Sequence, residues 1–474
     1  MSPALVPLMG TDMLGGVRTL APEVVLLVGA LVTLLSGSFL PRRLLHRTRV
    51  VALVTLVAAS AAALAEVPAG PGTAFDGTFT VDAATTTARV VACLGTAVVL
   101  LLGGDELTGL AREGEVCTLL LLATLGTVLL AGASDLLVLV VAFLLASVPL
   151  YALVGLARTA ASAEASMKTY LMGSLFGILL MAGVTLLYGV GGTTTYAGLA
   201  TGLTTAPAGV LVAGGVTLLG GLTFKAGAVP GHFWVPDAAQ GSSTYAAAFL
   251  TSVPKVGAVV AMYRLVLVLP PAAQAPLLVG LLAVASMTLG NLAAFTQDDP
   301  RRLLGWSTVS QVGYLLVPAA VAGRSDLALP ALEVYLAGYA VTNLAAFAVV
   351  AALPGHRTLR DYAGLARRQP WLLAALVVGL LGLVGTPPTA VFVGKLAVAT
   401  AAWDAGAWWL TLALLLNSVV SLYYYLRWLA LAIRPDGAFP TVLAWGRWTS
   451  LGAAGVSLVL GLAGAWVVLG AGGG

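Results

Sequence analysis

The sequence predicts an all-α polytopic membrane protein of about fourteen transmembrane helices. Three observations lead there. Of 474 residues, 59% are hydrophobic and only 9% charged, against about 25% charged in soluble domains; no soluble fold would solvate such a surface. Apolar stretches of about 20 residues, the length a span requires, recur along the whole chain. Basic residues gather in alternate connections between them, as cytoplasmic loops do. The net charge of +4 is small and points to the lipid bilayer, not to nucleic acid.

The predicted spans lie near 20–40, 49–66, 87–104, 115–132, 134–157, 168–190, 208–232, 243–269, 275–296, 302–322, 328–353, 371–402, 405–430 and 447–470. The first run lacks a basic region before it and is followed by "PRRLLHRTR" (41–49), which suits an uncleaved span better than a cleavable signal. Arg42, Arg43, Arg47 and Arg49 follow span one, and Arg158 and Lys168 flank the loop after span five. Arg301 and Arg302 follow span nine; Arg357, Arg360, Arg367 and Arg368 follow span eleven; Arg427, Arg434 and Arg447 surround the loop after span thirteen. Loops after even-numbered spans carry chiefly Arg89 and Arg324. The positive-inside rule then puts both termini outside. Trp371, Trp403, Trp408, Trp428, Trp445 and Trp448 sit near span ends, as an interfacial belt would. Cys93 and Cys117 lie in apolar segments, far apart and without metal-ligand spacing, so they read as small core residues and nothing here ligates iron–sulfur, haem or zinc.

The charged residues inside the apolar segments carry the functional signal. Of 23 basic residues only Lys168, Lys225, Lys255 and Lys395 are lysine. No charge occurs from Tyr170 to Phe224, and Lys395 is the single charge between Arg368 and Asp404. A charge at mid-bilayer costs about 2.5–3.5 kcal/mol on insertion scales and persists where it faces a bundle interior or a water path. Arginine stays protonated almost anywhere, whereas burial disfavours the charged form of lysine. Lys225, Lys255 and Lys395 are therefore candidates to take up and release protons; snorkelling to the interface or a static ion pair is the plainer alternative. His232, seven residues after Lys225 and about two turns on if the helix continues, suits a proton relay by its ordinary pKa, and a hydrogen-bonded structural histidine is its rival reading.

Prolines sit beside two of these lysines. Lys225 precedes Pro230 and Pro236, and Lys395 follows "GTPPTAVFVG" (385–394). Proline breaks a helix by removing a donor and clashing with the preceding turn. Broken backbone at membrane depth survives only where it is buried in protein or lines a wet cavity, and discontinuous helices at matching places of two repeats point to a transport site. The broken spans are seven and twelve. An offset of five reverses topology, so spans four to eight and nine to thirteen form a candidate inverted repeat. The division is then 1–112 (three N-terminal helices), 113–270 (first repeat), 271–432 (second repeat) and 433–474 (C-terminal helix). Asn291, Gln311, Tyr314, Tyr339 and Asn343 either extend a polar path or serve as ordinary interhelical hydrogen bonders.

Three stretches carry a resemblance: "FKAGAVPGHFWVPDAAQGSSTYAAAFLTSVPK" (224–255), "MTLGNLAAFTQDDPRRLLGWSTVSQVGYLL" (287–316) and "GTPPTAVFVGKL" (385–396). The chain resembles the antiporter-like, proton-translocating subunits of respiratory complex I, which are related to Mrp-type cation/proton antiporter subunits. "APEVVLLVGALVTLL" and "ASDLLVLVVAFLLASVPLYALVGL" (133–156) look most like the N-type branch. The resemblance implies fourteen helices with two inverted five-helix repeats, and proton-relay roles for Lys225, His232, Lys255 and Lys395. It implies a translocase subunit of a bacterial inner membrane without a redox centre of its own. NADH, FMN, iron–sulfur clusters and quinone are expected in partner subunits, and a neighbouring antiporter-like subunit and small membrane subunits as partners. A subunit of an Mrp-type sodium/proton antiporter, or of a membrane-bound hydrogenase-like complex, shares these marks. One departure stands out. The family's helix-five glutamate, which pairs with the helix-seven lysine, aligns with Leu144 in "FLLASVPLY" (143–151). Either another acid substitutes for it, or the first half-channel is altered.

Overall fold

The computed structural model describes residues 15–435 and 441–471, with side chains through Gly464. In hydrocarbon each backbone N–H and C=O needs a partner within its own segment, and the chain is accordingly helical almost throughout. The main helices are α1 (Ala21–Phe39), α2 (His46–Ala65), α3 (Ala83–Leu102), α4 (Glu113–Gly132), α5 (Leu136–Gly155) and α6 (Ala160–Gly191). They continue as α7 (Ala208–Ala226), the short α8 (Trp234–Gly241), α9 (Thr244–Val268), α10 (Ala275–Ala294), α11 (Pro300–Ala320) and α12 (Ala328–Ala352). The last are α13 (Pro370–Val384), α14 (Ala390–Asp404), α15 (Trp408–Ile433) and α16 (Ala444–Ala471). Among the described residues, eleven helices are long and apolar enough to cross a membrane. The chain is a polytopic helical membrane protein. The segment expected at 371–402 is indeed two helices, α13 and α14, of 15 residues each. Both chain termini lie outside the described residues.

Side-chain oxygens cap several helix starts. Asp82, Asp135, Thr159 and Asp299 accept from the amides of Thr85, Leu137, Ser162 and Arg301 at 2.9, 2.8, 3.1 and 2.8 Å, filling orphan donors of the first turn. The Thr159 cap starts α6 eight residues earlier than expected, so Lys168 lies within that helix. There it pairs with Glu164 at 2.7 Å and Asp237 at 2.8 Å.

Helix α9 is buried along nearly its whole length and packs on α3, α4, α7, α8, α11 and α12. Helix α12 is the second hub, touching α3, α9, α11, α13, α14 and α16. The lysines sit around this α9–α11–α12 centre. At one end, Arg89 is buried in α3, not placed in a loop; it holds Glu23 through two bonds of 2.8 Å and Glu66 at 2.6 Å. Near it Arg264 clasps Asp82 at 2.9 and 2.7 Å. A hairpin of β1 (Gly72–Ala74) and β2 (Phe79–Val81) covers this end. At the opposite end the arginine-bearing connections come together. Arg49 reaches the Gly104 carbonyl at 2.8 Å and Arg427 the Phe295 carbonyl at 2.6 Å. A polar cavity of about 720 Å³ opens there, lined by Glu106, Lys168, Asp237, Arg301, Arg302, His356 and Arg357 among others.

Of the tryptophans expected in a belt, Trp371, Trp403, Trp408, Trp445 and Trp448 are exposed. Trp428 is not: it is fully buried, edge-on to Tyr362 with centroids 5.2 Å apart. Cys93 and Cys117 are free and buried.

Candidate functional site

The site is built on two helix breaks. The first follows α7. Gly227 takes a left-handed conformation (φ +77°) and ends the helix, with its amide on Thr223 O at 2.8 Å. The chain then runs without helix to Trp234, whose indole N–H donates back to Phe224 O at 3.1 Å and closes the break. The second break follows α13: Gly385 (φ +93°) ends that helix, and Pro387 and Pro388 precede α14. Each break holds a cis X–Pro bond, Val229–Pro230 and Pro387–Pro388. A lysine lies against each glycine. A Cβ on Gly227 would meet Lys255 Nζ at 2.8 Å, and one on Gly385 would meet Lys395 Cδ at 2.9 Å. Any other residue would suffer both the positive φ and a collision with the lysine.

Lys225, Lys255 and Lys395 are all buried. In the last turn of α7, Lys225 donates to the Ala146 carbonyl of α5 at 2.5 Å and faces Ser147 Oγ at 3.3 Å. Lys255, midway along α9, has no hydrogen-bond partner among the described residues and lies 4.9 Å from the Trp234 ring centroid. Lys395 donates to Leu383 O at 3.2 Å and Val384 O at 2.9 Å. In an unbroken helix those two carbonyls would accept from residues 387 and 388, which as prolines have no N–H. The proline pair thus frees two acceptors at the negative end of α13, and the lysine takes them. Its ammonium also stands 4.0 Å from the Tyr314 ring centroid. Among the described residues no carboxylate forms an ion pair with any of the three amines.

His232 departs from its expected place. The helix does not continue past Ala226, so the two-turn spacing from Lys225 fails. The ring lies instead on Phe233 and Trp306 of α11, at 4.2 and 5.6 Å between centroids, with Nδ1 buried and unpartnered. Among the described residues no hydrogen bond joins it to Lys225 or Lys255. Leu144 also matters by its direction. It is 45% exposed, on the stripe of α5 that carries Leu137, Val141 and Val148, whereas Ala146 and Ser147 face inward to Lys225. Glu164 and Asp237 are bound to Lys168. Among the described residues no acid reaches Lys225, which rests on a carbonyl and a hydroxyl.

Two buried polar clusters lie between Lys255 and Lys395, one around Tyr339 and Asn343 and one around Gln311. Asn343 donates to Thr251 Oγ1 and Ser252 Oγ at 3.1 and 2.9 Å, one turn before Lys255. Tyr339 donates to Thr251 O at 2.6 Å, and its hydroxyl lies 3.2 Å from Thr308 Oγ1. One turn along α11, Gln311 donates to Leu383 O at 2.7 Å, the carbonyl Lys395 also uses, and accepts from Tyr335. Asn291 bonds Asn417 and Ser310. Tyr335, Tyr425, Thr251, Ser307 and Thr308 escaped the sequence reading because hydroxyls are common in membrane helices and these helices are apolar on every side. Among the described residues no group of three or more His, Cys, Asp or Glu is placed to hold a metal ion.

The family model for NADH:quinone oxidoreductase/Mrp antiporter transmembrane proteins matches residues 133–421, spanning both breaks and all three amines. The chain belongs to this family. A relative from Mycobacterium sp. (strain JLS), NADH-quinone oxidoreductase subunit N, is 54% identical over 448 residues, covering 94% of this chain and 96% of that one. The subunit N 1 of Streptomyces griseus subsp. griseus is 49% identical over 461 residues, covering 96% and 97%. Among solved structures, a chain of respiratory complex I from Thermus thermophilus with bound aureothin superposes with a TM-score of 0.82 at 32% identity, covering 94% of this chain and 98% of that chain. Within the antiporter-like family the chain is thus similar to the N-type subunits of quinone reductases.

Proposed function

We propose that this chain is the N-type proton-translocating subunit in the membrane arm of an NADH-quinone oxidoreductase in a bacterial inner membrane. The observation that carries this most is the set of three buried amines, two of them against the glycines of broken helices, none paired to a carboxylate. Protons enter at the polar cavity near Arg301 and Asp237, taken as the cytoplasmic end, and pass by Lys225, Lys255 and Lys395 through transient water before leaving outside. His232 contributes at the first break, through its free Nδ1. Moving one charge against 100 mV takes about 2.3 kcal/mol, which relay residues that only pass a proton on do not supply. The energy comes from oxidoreduction in partner subunits, which carry the flavin, iron–sulfur clusters and quinone site.

The matching architecture of the two breaks supports the finer fold: fourteen spans, with 113–270 and 271–432 as inverted five-helix repeats between 1–112 and 433–474, and both termini outside. The 54% and 49% identities, both to quinone reductase subunits, favour this over a sodium/proton antiporter subunit. The test is purification of the native assembly through a tag on this chain, followed by reconstitution into proteoliposomes. Flavin- and iron–sulfur-bearing partners with NADH-driven proton movement support the proposal; a redox-free assembly exchanging sodium for protons overturns it.

A further inference from the structure

Leu383 O is shared. Freed by Pro387, it accepts from the Lys395 ammonium at 3.2 Å and from the Gln311 amide at 2.7 Å. The other end of the same amide, Gln311 Oε1, accepts from the Tyr335 hydroxyl. Gln311 Nε2 lies 3.5 Å from Tyr425 OH, which bonds Ser307 Oγ at 2.5 Å. Gln311 is fully buried. An amide cannot carry a proton at neutral pH. It does have a fixed polarity, with its donor side toward the lysine's anchor and its acceptor side toward a tyrosine.

We infer that Gln311 is a positioning residue for Lys395: by competing for Leu383 O it sets where the amine rests, and it ties that amine to Tyr335 and Tyr425. The inference rests on the proton-carrying role proposed above for Lys395. A charged ammonium is the stronger donor and draws on Leu383 O; a neutral amine yields the carbonyl to Gln311. Each change of charge on Lys395 is thereby felt at Tyr335 and at Tyr425, which bonds Ser307, the residue next to Thr308 of the Tyr339–Thr251 cluster.

The titratable groups facing Lys395 are few. Helix α11 presents Tyr314, whose ring lies under the ammonium. Helix α12 presents Tyr335, whose ring a Cβ on Gly394 would meet at 2.6 Å; Glu333 lies at the far end of α12, toward Asp82 and Tyr263. Helix α15 offers Tyr424 and Tyr425, in contact with each other at 4.2 Å between centroids. Helix α13 has no ionisable residue, and the one charged residue in the described part of α16, Arg447, sits at its other end.

The experiment compares wild type, Gln311→Glu, Gln311→Met and Lys395→Met, each in the whole quinone reductase in proteoliposomes. Proton movement per NADH oxidised is measured against pH. Gln311→Glu puts a carboxyl beside the ammonium, and an opposite charge at that range favours the protonated amine by one to three pK units. The pumping midpoint is expected to move to higher pH by about one unit or more. Gln311→Met, close to isosteric, leaves Leu383 O to the ammonium alone and moves the midpoint the same way by less; a packing role would lower assembly without moving the midpoint. Assembled, pumping complexes of both Gln311 variants with the wild-type midpoint overturn the inference. Wild-type pumping by Lys395→Met overturns the proton-carrying role itself, and is read independently of either Gln311 variant.

Discussion

The Lys225 pocket yields the sharpest prediction, because the family resemblance and the geometry point to different residues. The resemblance implies a carboxylate at Leu144, but that side chain faces outward, and Ser147 faces the amine with Oγ 3.3 Å from Nζ. Ser147→Asp puts a carboxylate about 4 Å from the ammonium. At an effective dielectric of about 20, unit charges at that distance attract by about 4 kcal/mol. At 1.36 kcal/mol per pK unit this is about three units, the upper end of what a neighbouring opposite charge produces. Lys225 then holds its proton more tightly, and the fraction able to release it at a given pH falls roughly tenfold to a thousandfold. The assay is NADH-driven acidification of proteoliposomes across pH, normalised to quinone reduction. Ser147→Asp should shift the profile to higher pH and slow pumping at neutral pH. Leu144→Glu is the control: an acid on the outward face costs insertion energy but leaves the profile of assembled complexes in place. The reasoning fails if Leu144→Glu shifts the profile and Ser147→Asp does not.

Two further outcomes follow from packing. Arg89→Leu strands Glu23 in the core without its guanidinium; breaking a buried pair costs about 3–5 kcal/mol, so the amount of assembled chain in membranes should drop sharply, with Arg89→Lys intermediate. Gly227→Ala combines a left-handed φ of +77° with a contact of 2.8 Å on Lys255 Nζ; strain of about 1–3 kcal/mol should leave part of the protein assembled but with Lys255 displaced, seen as pumping lost faster than quinone reduction.

Much of the fold could be read from the chain because membrane helices need long apolar runs, and proline and glycine mark where they break. The break at 385–389 and the burial of Lys225, Lys255 and Lys395 were visible for that reason. Directions were not. An amphipathic helix reveals its inner face by its polar residues, but α5 carries only Ser147 and Tyr151 in an otherwise apolar run, too few to mark a face. Trp428, near a span end, looked interfacial for the same reason and is core. The two-turn spacing of His232 from Lys225 held only for a continuous helix, and Gly227 ends it. The β1–β2 hairpin rests on strands of three residues each, too short for an alternating pattern to register. The hydrogen-bond chain through Gln311 depends on which side of α11 meets α13, and pairing of helices is a tertiary fact that no local pattern encodes.

The most direct test of the central claim, that buried amines at the helix breaks carry the protons, is the proton-to-electron ratio of the Lys395→Met complex in proteoliposomes. The methionine keeps the volume and removes the exchangeable proton. A clear fall in that ratio, with complex assembly intact, is expected; an unchanged ratio in a fully assembled complex would contradict it.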